Sequence, residues 1–84
     1  MADLNTVYHA QMTALNQFRA TYGSPMASGN SWDVAMAMLR AAKTVGASQG
    51  EALSVLNTIV QQSPDLTYNG EDMSFIQFAS AGIF

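Results

Sequence analysis

Apolar residues recur at helical spacing through the first quarter of the chain. Intervals of three, four and seven residues predict an amphipathic helix over residues 3–22. Asp3 or Asn5 provides its N-cap, and Gly23 ends it. Gln11 interrupts the stripe, so it lies either at the edge of the core or in a contact that sets the register. The apolar stripe consists of Leu4, Val7, Tyr8, Leu15, Phe18 and Tyr22.

A second helix is predicted over residues 31–45, with Ser31 as its N-cap and Asp33 in its first turn. Its apolar arc is wider than a single core needs, and a helix that is apolar over most of its circumference is buried on several sides. In a chain of 84 residues this predicts contacts beyond the monomer. The polar positions between Trp32 and Val45 are Asp33, Arg40, Lys43 and Thr44.

A third helix is predicted over residues 48–62, after a stop at Gly46. Ser48 and Glu51 have the spacing of a capping box. One continuous helix over residues 31–62 is the alternative, because a glycine costs only about 1 kcal/mol in a helix interior; we favour the break. The residues predicted to face inward are Ala52, Leu53, Val55, Leu56, Ile59 and Val60.

The last helix is predicted over residues 70–80, with Asn69 as its cap. The chain then ends on Ile83 and Phe84, which predicts packing of this end against its own core or against a neighbour. The pattern therefore predicts an all-α fold in one domain, residues 1–84, formed by a small antiparallel bundle of three to four helices.

The low content of charged residues excludes some classes of function. Only 11% of the residues are charged, against about 25% in a typical domain, and the formal net charge is -3. Three cations, Arg19, Arg40 and Lys43, are too few for nucleic-acid binding. There is no signal-peptide pattern and no apolar run of membrane-spanning length, so we expect a cytoplasmic protein.

Residues suited to catalysis or to metal binding are scarce. The single histidine, His9, lies off the apolar stripe and is expected to be exposed or at an interface, and there is no cysteine. Glu71 and Asp72 are adjacent, so they do not share a helix face and instead suit a first helical turn. No glycine-rich phosphate loop follows a strand. We therefore expect no catalytic residue, no metal and no cofactor.

Methionine and aromatic side chains are the candidate interaction residues. Methionine suits an adaptable binding surface, although it also serves as core filler, and Trp32 suits either a core lid or an interface anchor. The turn between the first two helices is assigned to Pro25, Gly29 and Asn30. The candidate interface residues are Met26, Trp32, Met36, Met38, Phe75, Phe78 and Phe84.

The segment "MASGN" (residues 26–30), followed by Trp32 and an alanine-rich apolar helix, resembles the R-body subunit family over residues 16–53. This resemblance implies a structural protein that polymerises into ribbons, which coil into rolls and unroll when the pH falls. It implies no catalytic residue. It would assign the turn to Met26, Ala27, Gly29 and Asn30 and interface side chains to Trp32, Met36 and Met38, with Asp33, Glu51 and Asp65 as candidates for acid switching.

Two functions remain at this point. The first is a non-enzymatic subunit that self-associates into a homo-oligomer, filament or ribbon, as charge depletion, the wide apolar arc and the apolar end of the chain indicate. The alternative is a small helical inhibitor or binding module, of the phage or plasmid type, that docks on a host protein through methionine and aromatic residues.

Overall fold

The chain is helical through most of its length. A computed structural model describes residues 3–23 and 28–84, apart from the side chains of residues 28–30. Within these residues there are four helices and no strand, which confirms the all-α bundle. The helices are α1 (Leu4–Tyr22), α2 (Ser28–Thr44), α3 (Gln49–Gln61) and α4 (Gly70–Ser80).

The starts of α1, α3 and α4 follow from local sequence, as predicted. The Asp3 carboxylate accepts a hydrogen bond from the backbone N–H of Asn5 at 2.8 Å, so Asp3 caps α1. Ser48 and Glu51 form the predicted capping box at α3. Asn69 caps α4 and forms a second capping box, with Asp72.

The break between α2 and α3 is a glycine stop. Gly46 has a φ of 88°, in the region that favours glycine. The N–H of Gly46 donates to the carbonyl of Lys43 and the N–H of Ala47 to that of Ala42, both at 3.0 Å. This pair of bonds is the Schellman arrangement that ends helices. The continuous helix over residues 31–62 is therefore excluded.

The predicted start of α2 is wrong by one turn. The helix begins at Ser28, so Gly29 and Asn30 lie in its first turn rather than in the connection, and Ser31 is not its N-cap. Ser31 is instead buried, and its carbonyl oxygen accepts a hydrogen bond from the Tyr68 hydroxyl. Asp33 accordingly lies beyond the first turn. The hydrogen bond from Tyr68 joins this part of α2 to the segment before α4, and a glycine costs only about 1 kcal/mol in a helix interior.

Helix α2 lies at the centre of the bundle. It packs against α1, α3 and α4, and its contact with α1 is the most extensive of these. The apolar arc that predicted contacts beyond the monomer is therefore covered within the chain. Its buried residues are Val34, Ala35, Met36, Met38, Leu39 and Ala42.

Helix α1 is buried along only part of its predicted stripe. Val7 and Leu15 are fully buried, whereas Leu4 and Tyr22 are 56% and 54% exposed. Gln11 is buried at the middle, where its Nε2 donates to the carbonyl of Ala52 at 3.1 Å. Of the two predicted alternatives, Gln11 therefore occupies the contact that sets the register of α1 against α3, and it does not lie at the edge of the core.

Polar contacts join segments that are distant along the chain. Arg19 binds Asp65 with two hydrogen bonds, Nε to Oδ2 at 2.8 Å and Nη2 to Oδ1 at 2.7 Å. Lys43 Nζ donates to the carbonyl of Ile83 at 2.7 Å. Ile83 and Phe84 are half-buried against the core, so this end of the chain packs on its own bundle.

The capping box at α3 makes the free energy of unfolding depend on pH. Hydrogen bonds from Ser48 lower the pKa of Glu51 below its ordinary value of 4.5. A carboxyl with a lowered folded pKa stabilises the fold above its unfolded pKa and loses that contribution as the pH falls through the folded one. We expect the difference in free energy of unfolding between wild type and Glu51→Gln to be constant above about pH 5.5 and to shrink towards pH 3. Urea denaturation across this range measures it, and a gap that widens in acid would contradict the assignment.

Candidate interaction surface

Three aromatic side chains meet where the start of α2 approaches α4. The ring centroids of Trp32 and Phe75 are 4.9 Å apart at an interplanar angle of 71°. Those of Phe75 and Phe78 are 6.4 Å apart at 66°. Both are edge-to-face geometries, which aromatic pairs favour. We call Trp32, Phe75 and Phe78 the aromatic patch.

The outward position of this patch follows from the helical repeat of α4. Ile76 and Ser80, four residues apart, are fully buried, so they define the inner face. Phe75 and Phe78, three residues apart, share an outer face and are 58% and 78% exposed. Trp32 is half-buried and packs against the core. The patch therefore has one anchored ring and two rings in solvent.

The candidate interface residues divide into three groups. Trp32, Phe75 and Phe78 are brought together on the surface. Met36 and Met38 are only 9% and 0% exposed, so they are core residues and their assignment to an interface is wrong. The cause is the central position of α2, which leaves neither side chain accessible.

The remaining candidates do not join the patch. Phe84 is half-buried against the core rather than projecting outward. Met26 and Pro25 lie outside the described residues, as does Ala27. Gly29 and Asn30 belong to α2, as noted above.

Two of the three carboxylates considered for acid switching are engaged within the chain. Asp65 is held by Arg19, and Glu51 by the capping box with Ser48. Asp33 is exposed, as is His9. Of the residues that the structure describes, no three histidine or acidic side chains are grouped so that they could hold a metal ion.

A small cavity adjoins the aromatic patch. It has a volume of about 80 Å³ and is lined by Ser31, Trp32, Thr67, Tyr68 and Asp72. Burial, together with the nearby carboxylate of Asp72, raises the pKa of the Tyr68 phenol well above its usual range, so this hydroxyl stays protonated at neutral pH. We call this cavity the Trp32 pocket.

A shallower groove runs between α3 and α4, with a volume of about 350 Å³. Its lining combines apolar side chains with neutral hydroxyl and amide groups. The lining residues are Leu53, Ser54, Asn57, Met73, Ser74 and Gln77.

The Trp32 pocket was not predicted. Its members come from α2, from the connection after α3 and from α4, and the apolar periodicity that identifies helices carries no information about how those three segments meet. One local signal pointed to part of this pocket. Tyr68 immediately precedes the Asn69 cap, which places an aromatic residue next to the first turn of α4.

Within the described ranges, 3–23 and 28–84, no helix has both the length and the apolar character needed to cross a membrane. Comparison with protein-family models, with curated proteins and with solved structures finds no match to this chain.

Proposed function

We propose that this chain is a non-enzymatic structural subunit that self-associates through the aromatic patch, in the cytoplasm. The observation that carries the proposal is the exposure of Phe75 and Phe78 on one face of an 11-residue helix. Large apolar side chains grouped on a surface are typical of interaction sites, and aromatic rings that bury much area at little entropic cost are typical interface anchors.

The low charge of the chain supports a second copy as the partner. With 11% charged residues and a net charge of -3, two copies repel each other weakly. On the patch itself both exposed rings are uncharged, so bringing two patches together desolvates no ion at their centres.

The energy available from the patch sets the strength of association. Fully burying a phenylalanine contributes about 1.5–3 kcal/mol. Since Phe75 and Phe78 are 58% and 78% exposed, covering these exposed parts on both copies gains roughly 4–8 kcal/mol before other terms. Association costs roughly 4–15 kcal/mol in lost freedom of motion. The patch alone therefore supports weak association, and a stable assembly needs the neutral surface around it as well.

The apolar arc of α2 no longer supports this proposal, because the arc is covered within the chain. The apolar end of the chain no longer supports it either, since Ile83 and Phe84 pack on their own core. The low content of charged residues still supports self-association. The exposed rings of α4 replace the apolar arc of α2 and the apolar end of the chain as the second argument for it. Ribbon formation, which the resemblance to R-body subunits implies, is the extended form of the same proposal and requires a head-to-tail contact that does not close.

Sedimentation velocity from about 10 µM to 1 mM tests the proposal, at concentrations that span weak affinities. We expect the average mass to rise above 9.0 kDa with concentration. We expect Phe75→Ser with Phe78→Ser to weaken association at least about tenfold, which corresponds to about 1.4 kcal/mol. Negative-stain microscopy of the concentrated samples distinguishes ribbons from small oligomers.

The matched control is Leu4→Ser with Tyr22→Ser, since these side chains are exposed to a similar extent on α1. This control is expected to leave association unchanged. A single 9.0 kDa species at every concentration would overturn self-association and favour docking on a different protein.

A further inference from the structure

We propose that the Trp32 pocket binds the alkylated ammonium head of a small organic cation. The pocket combines two aromatic side chains, Trp32 and Tyr68, with one carboxylate, Asp72. Alkylated ammonium groups are recognised by aromatic rings together with a nearby negative charge. This inference goes beyond self-association, because it concerns the cavity beside the patch, with which it shares Trp32, and not the exposed rings of Phe75 and Phe78.

The size of the cavity fits such a head group. Its volume of about 80 Å³ is several times what one water needs, about 10–15 Å³. The Tyr68 hydroxyl is already committed, since it donates to the carbonyl of Ser31. Tyr68 therefore offers its ring rather than a free donor, which suits a ligand that has no hydrogen-bonding atom on its charged end.

The carboxylate is held in place before any ligand arrives. Asp72 Oδ2 accepts a hydrogen bond from the backbone N–H of Asn69 at 3.0 Å, while the N–H of Asp72 donates to Asn69 Oδ1 at 2.7 Å. The carboxylate is thus held at the pocket wall, so ligand binding loses little side-chain entropy there.

The distribution of charge favours a cation at this end of the molecule. Exposed Asp33 neighbours Trp32 in the chain, and exposed Glu71 neighbours Asp72. Of the cations, Arg19 is paired with Asp65 and Lys43 binds the carbonyl of Ile83. Arg40 follows Asp33 by two turns of α2, a distance of about 10 Å along the helix. The charged residues nearest the pocket along the chain are therefore acidic, which favours a cation over an anion.

The pocket suits an organic cation better than a metal ion. Calcium takes six to eight oxygen ligands and magnesium demands an octahedron of oxygens, whereas this cavity contains a single carboxylate and two aromatic walls. An alkylated ammonium group needs only ring surface and one compensating charge.

Fluorescence of Trp32, the only tryptophan of the chain, reports on the pocket directly. Titration uses choline chloride, with sodium chloride at equal ionic strength as the reference, at a protein concentration of about 5 µM so that weak self-association does not contribute. We expect a saturable change at millimolar choline. The uncharged isostere 3,3-dimethyl-1-butanol is expected to bind at least about tenfold more weakly.

Two matched variants test the role of the carboxylate. Asp72→Asn keeps an oxygen that can accept the capping bond and removes the charge, and it is expected to weaken choline binding about fivefold or more. Glu71→Gln removes a charge from the same turn but does not line the pocket, and it is expected to stay within about twofold of wild type. Circular dichroism establishes that both variants are folded.

Four results would overturn the inference. One is the absence of a saturable response to choline in the folded wild-type protein. The second is equal binding of the uncharged isostere, and the third is equal effects of the two variants. The fourth is a stronger response to phosphatidylcholine vesicles than to the same concentration of free choline, which would assign the head group to a lipid and not to a small solute.

Discussion

Replacing Met38 by alanine is expected to lower the free energy of unfolding by about 2–5 kcal/mol. This side chain is fully buried in a helix that packs against the other three, so truncation removes apolar contacts and leaves a cavity. In a domain of this size a loss of 1 kcal/mol lowers the melting temperature by about 4–8 °C. Thermal and urea denaturation followed by circular dichroism measure the effect.

Phe78→Ser is the control for this variant, because it removes a larger apolar side chain that is 78% exposed. Its effect on the free energy of unfolding is expected to stay within about 0.5 kcal/mol. If Met38→Ala were equally harmless, α2 would not occupy the centre of the bundle, and its apolar arc would again be available to a second copy.

The second large effect is expected at Arg19. Replacing it by methionine keeps much of the apolar stem but leaves the side chain of Asp65, only 11% exposed, without its charged partner. We expect a loss of about 1–3 kcal/mol, below that of a fully buried pair because Arg19 itself is 28% exposed. The hydrogen bonds to Asp65 raise the pKa of Arg19 further, so the guanidinium stays charged in both the folded and the unfolded chain at neutral pH.

Two controls separate the ion pair from a general effect of charge. Asp65→Asn leaves Arg19 able to turn towards water, so it is expected to cost less than Arg19→Met. Arg40→Met removes an exposed charge from α2 and is expected to change the free energy of unfolding by less than about 0.5 kcal/mol. Urea denaturation of the three variants at pH 7 measures these differences, and equal losses at Arg19 and Arg40 would contradict the structural assignment.

The helices could be read from the sequence because their signals are local. The cap of α3 depends on Ser48 and Glu51, three residues apart, and the end of α2 depends on Gly46 alone. Periodicity within α3 likewise identifies its inner face, which the burial of Leu56 and Ile59 confirms. Such features need no knowledge of the rest of the fold.

The candidate site could be read only in part, because burial is decided by distant segments. Met38 and Phe78 are both large and apolar, and nothing local states that one is fully buried and the other 78% exposed. That difference depends on which helices surround α2 and which leave the outer face of α4 uncovered. The pair formed by Arg19 and Asp65 joins residues 46 positions apart and has no local signal at all.

The buried amide of Gln11 has a consequence for how many folds this sequence allows. Its Nε2 reaches the carbonyl of Ala52, while its Oε1 is buried without a partner among the described residues. Sliding α1 along α3 by half a turn, about 2.7 Å, would separate Nε2 from the carbonyl of Ala52 and leave the donor unsatisfied as well. A buried unsatisfied group costs about 1–3 kcal/mol. Apolar contacts alone impose no comparable penalty on a shift of one helix along another. Gln11 therefore fixes the register of α1 against α3 by disfavouring shifted packings. The expected cost is a lower free energy of unfolding than an apolar residue at this position would give.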